Sequence, residues 1–281
     1  MARRGSLRIL ATFLVAAAIG PGSGHAQVAA CPRGSVLPAY AHNDYANSHP
    51  LHDALALGFQ GVEADVLLRG GELRVGHDAS ATRPGRDLET LYLGPLREVI
   101  HRCGRVRTSA PFLLNVELKE RSQAGYDTLR ALVERYADLF EPPPAGLEGP
   151  PVEIILVGWY PPLNDSTPNR ESRLWRQQRL TTLSPDAGSE ATPAVRLISL
   201  DYGKTIGWSG RGPSPDRAAS WLARLRAAKD EGPGRLARAY NVPVDPAVYR
   251  LLLDGGVDLI GTKRLAESRQ VLLTLGVASP R

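Results

Sequence analysis

The chain has 281 residues and a mass of 30.3 kDa, enough for one large domain or two small ones. Hydrophobic residues make up 43% and charged residues 22%, ordinary globular proportions that exclude global disorder; the 28 glycines and 23 prolines follow no fixed period, which excludes collagen-like and solenoid architectures. The formal net charge is +5, and Arg3, Arg4 and Arg8 supply three of those charges; the rest form no basic stripe interleaved with aromatics, so nucleic acid is not an expected partner.

The elements read as follows from the N-terminus. Met1 to Ala26 has a positive n-region (Arg3, Arg4, Arg8), an apolar run from Ile9 to Ile19, and small residues flanking His25 in Gly24-His25-Ala26. This is the pattern of a cleaved secretory signal peptide, and it predicts a secreted or periplasmic protein whose residues 27–281 form a single domain. The apolar run is too short to span a ~30 Å hydrocarbon core, so no stable membrane insertion is expected. Val28-Ala29-Ala30-Cys31 offers a second processing site, one that would put a lipid on Cys31. Cys31 and Cys103 are an even pair, which in an oxidising compartment is a disulfide candidate.

Beyond that segment, strands are predicted at Val36–Ala41, Phe59–Leu68, Pro111–Leu118, Val152–Val157, Val195–Leu200, Leu236–Val242 and Val257–Ile260. Gly70-Gly71 marks a hairpin that pairs Glu72–Val75 back onto the second strand. Helices are predicted at Leu51–Leu57, Leu88–Cys103, Ala124–Phe140, Ala218–Ala228 and Pro246–Leu253, and Tyr160–Pro193 reads as a long polar loop, a candidate lid over the site. Strands alternating with helices give an α/β chain with a parallel sheet. Seven barrel-type strands are present, with an eighth missing between Leu200 and Leu236. A TIM-type (β/α)8 barrel with one degenerate strand fits the length, and a doubly wound sheet is the alternative. No GxGxxG or P-loop pattern follows a strand.

Polar residues gather at three strand ends: His42-Asn43-Asp44-Tyr45, Glu63-Ala64-Asp65, and Asn115-Val116-Glu117-Leu118-Lys119, with His77-Asp78 after the hairpin. Because side chains alternate along a strand, Glu63 shares a face with Asp65, and Glu117 shares one with Asn115 and Lys119. In a barrel those faces converge at the C-terminal mouth. Carboxylates so placed repel one another unless a cation binds, and oxygen ligands alone suit a hard divalent ion, Mg²⁺ or Ca²⁺. The unperturbed pKa of histidine lies near neutral pH, so His42 and His77 are candidates for acid and base. Asn43 is a candidate phosphate or metal-shell contact, Asp44 and Asp78 read as turn residues, His49 and His52 as surface residues, and Trp159 as a pocket-lining or core residue.

The run His42-Asn43-Asp44-Tyr45, Pro50-Leu51, Asp53-Ala54-Leu55, Gly58-Phe59, Val62-Glu63-Ala64-Asp65-Val66, Gly71, Leu73, Val75-Gly76-His77 resembles the PI-PLC-like phosphodiesterase superfamily. Within it the chain looks like the glycerophosphodiester phosphodiesterase (GDPD) branch, and specifically its altered-inheritance-of-mitochondria-like group. Val116-Glu117-Leu118-Lys119 and Gly256-Val257-Asp258-Leu259-Ile260-Gly261-Thr262 resemble the later strand motifs. The resemblance implies a TIM-type barrel that cleaves a small-molecule or lipid phosphodiester with a divalent metal. It implies His42 and His77 as the acid/base pair, Glu63, Asp65 and Glu117 as metal ligands, and Lys119 near the phosphate. Relatives with glycerophosphodiester activity usually carry His-Arg where this chain has His42-Asn43, and many have Thr-Asp where it has Thr262-Lys263. A sphingomyelinase D-like phospholipid lyase and a non-catalytic barrel binding an anionic ligand are the alternative functions.

Overall fold

The computed structural model describes residues 31–32, 36–107, 110–141, 150–161, 173–180, 195–232 and 234–277. The segment read as a signal peptide, residues 1–26, lies outside them. Nine strands are found among these residues: β1 (Leu37–Ala41), β2 (Phe59–Arg69), β3 (Glu72–Val75), β4 (Phe112–Leu118), β5 (Val152–Gly158), β6 (Leu174–Arg179), β7 (Val195–Asp201), β8 (Leu236–Tyr240) and β9 (Leu259–Thr262). Eight of them close a ring in the order β1-β9-β8-β7-β6-β5-β4-β2, with β2 paired back to β1, and every pairing in the ring is parallel. This is a TIM-type barrel. β3 lies outside the ring, antiparallel to β2, across a turn in which Gly70 and Gly71 both take positive φ.

The eighth barrel strand is not missing between Leu200 and Leu236, as expected, but stands at Leu174–Arg179, inside the segment read as a loop. Between β7 and β8 the chain is helical instead, with α5 (Tyr202–Thr205) and α6 (Asp216–Asp230). The candidate lid is therefore in part a barrel stave, and its remainder lies outside the described residues. Smaller differences concern boundaries. The helix expected over Ala124–Phe140 breaks at Tyr136 into α3 (Gln123–Arg135) and α4 (Ala137–Phe140), and that expected over Leu88–Cys103 begins with a π turn at Glu89–Leu93 before α2 (Gly94–Cys103). The short α1 (His52–Ala56) and α7 (Pro246–Asp254) fall where predicted, and α8 (Leu265–Thr274) follows β9.

Packing follows strand parity. Side chains pointing outward, such as Val62, Ala64, Val66, Leu114, Val116, Ala237 and Ala239, join the large core between sheet and helices. Those pointing inward form a separate small cluster, Tyr40, Leu113, Ile155, Leu197 and Leu259, with Trp175 and Leu236 packed against it. This cluster plugs the barrel below the carboxylates, so the interior is a filled core and not a pore. Gly261 is required by that packing: a Cβ there would lie 2.4 Å from the Tyr40 ring. Cys31 and Cys103 are disulfide-bonded, their Cα atoms 5.6 Å apart, which ties the chain ahead of β1 to the last turn of α2. That bond overturns the lipid attachment considered for Cys31. Among the described residues no helix is long and apolar enough to cross a membrane.

Candidate active site

β2 and β4 pair in register so that Asp65 stands opposite Glu117 and Glu63 opposite Asn115. The alternation that buries Val62, Ala64 and Val66 against the helices turns Glu63 and Asp65 inward, and both are almost wholly buried, at 2% and 1% exposure. One oxygen each from Glu63, Asp65 and Glu117 lies within 4.8 Å of the other two. Glu117 is held against Gly158 at the end of β5, where a Cβ would stand 3.2 Å from Glu117 Cγ. The Oε2 of Glu63 and the Oδ1 of Asp65 are buried without a hydrogen-bond partner. Open, desolvated carboxylate oxygens cost free energy unless something positive fills the space between them, so this donor set fits a hard divalent cation.

The two histidines approach this cluster from different segments. His42 follows β1, held by its backbone N–H donating to the Thr262 carbonyl at 2.8 Å, and its Nε2 is 3.4 Å from Glu63 Oε2. Its ring stacks on Tyr40 and meets Tyr240 edge-on. Burial, reinforced by the charges of Arg238 and Lys263, pushes the His42 pKa down to about 4, so the imidazole is neutral at physiological pH. His77 follows β3 and is 63% exposed, with Nδ1 2.9 Å from Asp65 Oδ2. That contact orients the ring and leaves Nε2 as the atom available for proton exchange.

Asp65 is the hub of the arrangement. Besides His77, its Oδ2 accepts the Tyr45 hydroxyl at 2.7 Å and lies 3.6 Å from Lys119 Nζ. Lys119 also reaches Glu117 Oε1 at 3.3 Å, which ties it to two carboxylates of the cluster. Burial and the Asp65 acceptor raise the Tyr45 pKa, which keeps that hydroxyl protonated and donating. Asn43 lies beside the cluster in a different way from that expected: its backbone N–H donates to the Glu63 carboxylate, and its backbone is left-handed at φ 53°. Asp44 is a turn residue, as read, but fully buried. It accepts the Leu51 N–H and the Asn47 amide and thereby folds the loop that presents His42, at the cost of a carboxyl pKa pushed up to about 6 by burial. Asp78 caps a short 3-10 turn and takes no part in the cluster. His49 pairs with Asp53 on the surface, and Trp159 stands half-buried just past β5.

Sequence reasoning missed Arg238. It projects from β8 into the barrel directly beneath the carboxylates, is 2% exposed, and places Nη1 3.5 Å from Glu63 Oε1. Its guanidinium lies over the rings of Tyr40 (4.5 Å) and Tyr240 (5.1 Å). Burial, joined by the charges of Asp65 and Glu117, raises the Glu63 pKa, and Arg238 is the largest influence opposing that rise. The signal was present in Leu236-Ala237-Arg238-Ala239-Tyr240, where two alanines mark the helix-facing side and so put Arg238 inside.

The closed parallel barrel gathers an acid cluster and two histidines at its C-terminal mouth, the end at which barrel enzymes place their active sites. Residues 34–133 match the family model of the AIM6-like phosphodiesterase domain. Among curated proteins, the altered inheritance of mitochondria protein 6 of Lachancea thermotolerans is 30% identical over 151 residues, covering 45% of this chain and 35% of that protein. The homolog from Arthroderma benhamiae is 39% identical over 83 residues, 27% of this chain and 26% of that protein. The chain thus spans about a third or less of the curated relatives it matches. Similar solved structures include a glycerophosphodiester phosphodiesterase from Agrobacterium tumefaciens (16% identity, 83% of this chain, 97% of that chain, TM-score 0.49). A phosphatidylinositol-specific phospholipase C from Listeria monocytogenes is also similar (9% identity, 78% and 80%, TM-score 0.42). The likeness to the AIM6-like phosphodiesterase domain thus falls on residues 34–133, the stretch that carries His42, Glu63, Asp65, His77, Glu117 and Lys119.

Proposed function

We propose that the protein is an exported, metal-dependent phosphoric diester hydrolase. The observation that carries the reading is the meeting of Glu63, Asp65 and Glu117 within 4.8 Å, with His42 and His77 each touching one of those carboxylates. Glu63, Asp65 and Glu117 would hold Mg²⁺ or Ca²⁺, and a bound divalent ion supplies Lewis-acid stabilisation of charge on the phosphoryl oxygens. Lys119, tethered between Asp65 and Glu117, adds a second positive charge where the phosphorane develops. His42, neutral and shielded, takes a proton from the attacking water, whose oxygen bonds to phosphorus as the bond to the leaving oxygen breaks. His77, more exposed and oriented through Nδ1, delivers a proton from Nε2 to the leaving oxygen. Tyr45 holds Asp65 in place and Arg238 balances Glu63 from below. Export is supported by the signal-like N-terminus together with the Cys31–Cys103 bond, which an oxidising compartment maintains.

The test is turnover of bis(p-nitrophenyl) phosphate and a small glycerophosphodiester panel in Mg²⁺, Ca²⁺ or EDTA. Single His42→Ala and His77→Ala variants should lose roughly 10²- to 10⁴-fold in turnover. They should keep the melting-temperature rise that the cation induces, since neither is a ligand. Turnover that survives EDTA, or survives both substitutions, would refute the assignment.

A further inference from the structure

A cleft of about 390 Å³ opens beside His42 at the C-terminal end of the barrel, with no carboxylate of the cluster in its lining. One wall runs from Asn241 to Val244, after β8, and the other from Gly261 to Arg264, at the end of β9. His42 is the one side chain it shares with the acid/base machinery. Its size is that of a small-ligand site.

The polar groups of the walls are nearly all engaged within the protein. The Asn241 amide donates to Asp201 at 3.1 Å. The Thr262 hydroxyl oxygen accepts the Arg264 N–H at 3.0 Å and the Ser268 hydroxyl at 2.7 Å. The Arg264 guanidinium pairs with Glu267 at 3.1 Å. Val242 and Val244 pack against the core and give the cleft an apolar side. Lys263 differs: it is exposed, lines the cleft, and has no carboxylate within ion-pair distance among the described residues. Its charge is nonetheless felt at His42. The cleft therefore has fixed, satisfied walls and one uncommitted cation.

A phosphodiester carries two alcohol groups. With the phosphate at the carboxylate cluster, the group on the His42 side has this cleft in front of it. We propose that the cleft binds that alcohol, and that Lys263 selects a compact anionic alcohol over a neutral or cationic one. The inference rests on the phosphodiesterase reading and narrows its substrate class.

Three p-nitrophenyl phosphodiesters test it, with glycolate, glycerol or choline as the second alcohol; they differ chiefly in the charge offered to the cleft. Wild type should favour glycolate over glycerol, and glycerol over choline, in kcat/KM by about fivefold per step, the scale of one partly screened ion pair. The effect should lie in KM and shrink as salt is added. Lys263→Glu should invert the order. A binding measurement that needs no turnover runs in parallel: calorimetric titration of phosphoglycolate and phosphocholine into the metal-free protein in EDTA. Wild type should bind phosphoglycolate more tightly, and Lys263→Glu should reverse the preference. The same order of affinities in both proteins overturns the subsite, whether or not any diester is hydrolysed. The expected order of binding without turnover of any diester overturns the hydrolase reading and leaves the anion subsite standing.

Discussion

Glu117→Gln separates a metal site from a set of ordinary paired carboxylates. In the metal-free protein Glu117 has an oxygen within 4.8 Å of one on Glu63 and one on Asp65. At an effective dielectric of about 20 each such contact costs ~3.5 kcal/mol, or ~7 kcal/mol for the two. Lys119, 3.3 Å away, returns ~5 kcal/mol on the same scale. The charge on Glu117 is therefore a net liability of ~2 kcal/mol, and solvent reaching this 24% exposed side chain reduces it to about 1 kcal/mol. Lys119 keeps Asp65 as a partner at 3.6 Å in the variant. In EDTA, Glu117→Gln should thus melt about 2–4 °C above wild type. The order reverses when cation is added. A cation at about 100 times its Kd stabilises wild type by about 2.7 kcal/mol, roughly 5–10 °C. The variant, with one charged ligand fewer, should lose most of that gain. Differential scanning fluorimetry in EDTA, Mg²⁺ and Ca²⁺ reads both effects. A variant that melts below wild type in EDTA, or that responds to cation undiminished, would refute the reasoning, because Glu117 would then be only the partner of Lys119.

Two further predictions concern groups that support the cluster. Arg238→Met leaves Glu63 buried without its cation and should cost ~3–5 kcal/mol in urea denaturation, while adding Glu63→Gln should recover much of the loss; simple additivity of the two substitutions would show that the pair is not coupled. Asp44 has a carboxyl that titrates near 6 in the folded protein against an ordinary 3.8, so between those values the folded state holds the extra proton and stability falls as pH rises. The loss amounts to ~3 kcal/mol by pH 7, and urea midpoints of wild type measured against Asp44→Asn from pH 4 to 7 should diverge by that amount, a constant difference being the contrary result.

How legible the fold was in the sequence depended on which side of each strand carried the apolar residues. β2 and β4 were legible because their outward faces are Val62, Ala64, Val66, Leu114 and Val116, a period-2 signal interrupted only by the acids of the site. β6 was not, because Leu174-Trp175-Arg176-Gln177-Gln178-Arg179 has polar residues on both faces. Gln177 takes the inward parity of Trp175, and Arg176 on the other face lies over the Tyr160 ring at 4.2 Å. A strand whose polar groups are covered by its neighbours has no hydropathy signature, and a segment flanked by long loops then reads as more loop. Helix α8 escaped notice for a related reason: Glu267, Ser268, Arg269 and Gln270 break up its apolar face, and only Leu265, Ser268 and Leu272 are buried.

The site was legible where residue type alone implies chemistry, and illegible where chemistry depends on the far side of the barrel. Two acids at i and i+2 on an inward strand face define a cluster from local geometry. Arg238 meets Glu63 only because ring closure places β8 across from β2, some 175 residues apart in sequence and non-adjacent in the sheet. Buried charge nonetheless demands such a residue. Two carboxylates almost wholly removed from water, with a third beside them, cannot all stay charged through Lys119 alone, since Lys119 reaches Asp65 and Glu117 while Glu63 lies deeper. A second cation under Glu63 leaves three carboxylates facing two permanent positive charges, a net −1. One divalent ion turns that into +1, the sign that attracts a phosphodiester anion. On the proposed function, an anionic diester would then be held more tightly by the metal-bound barrel than by the metal-free one.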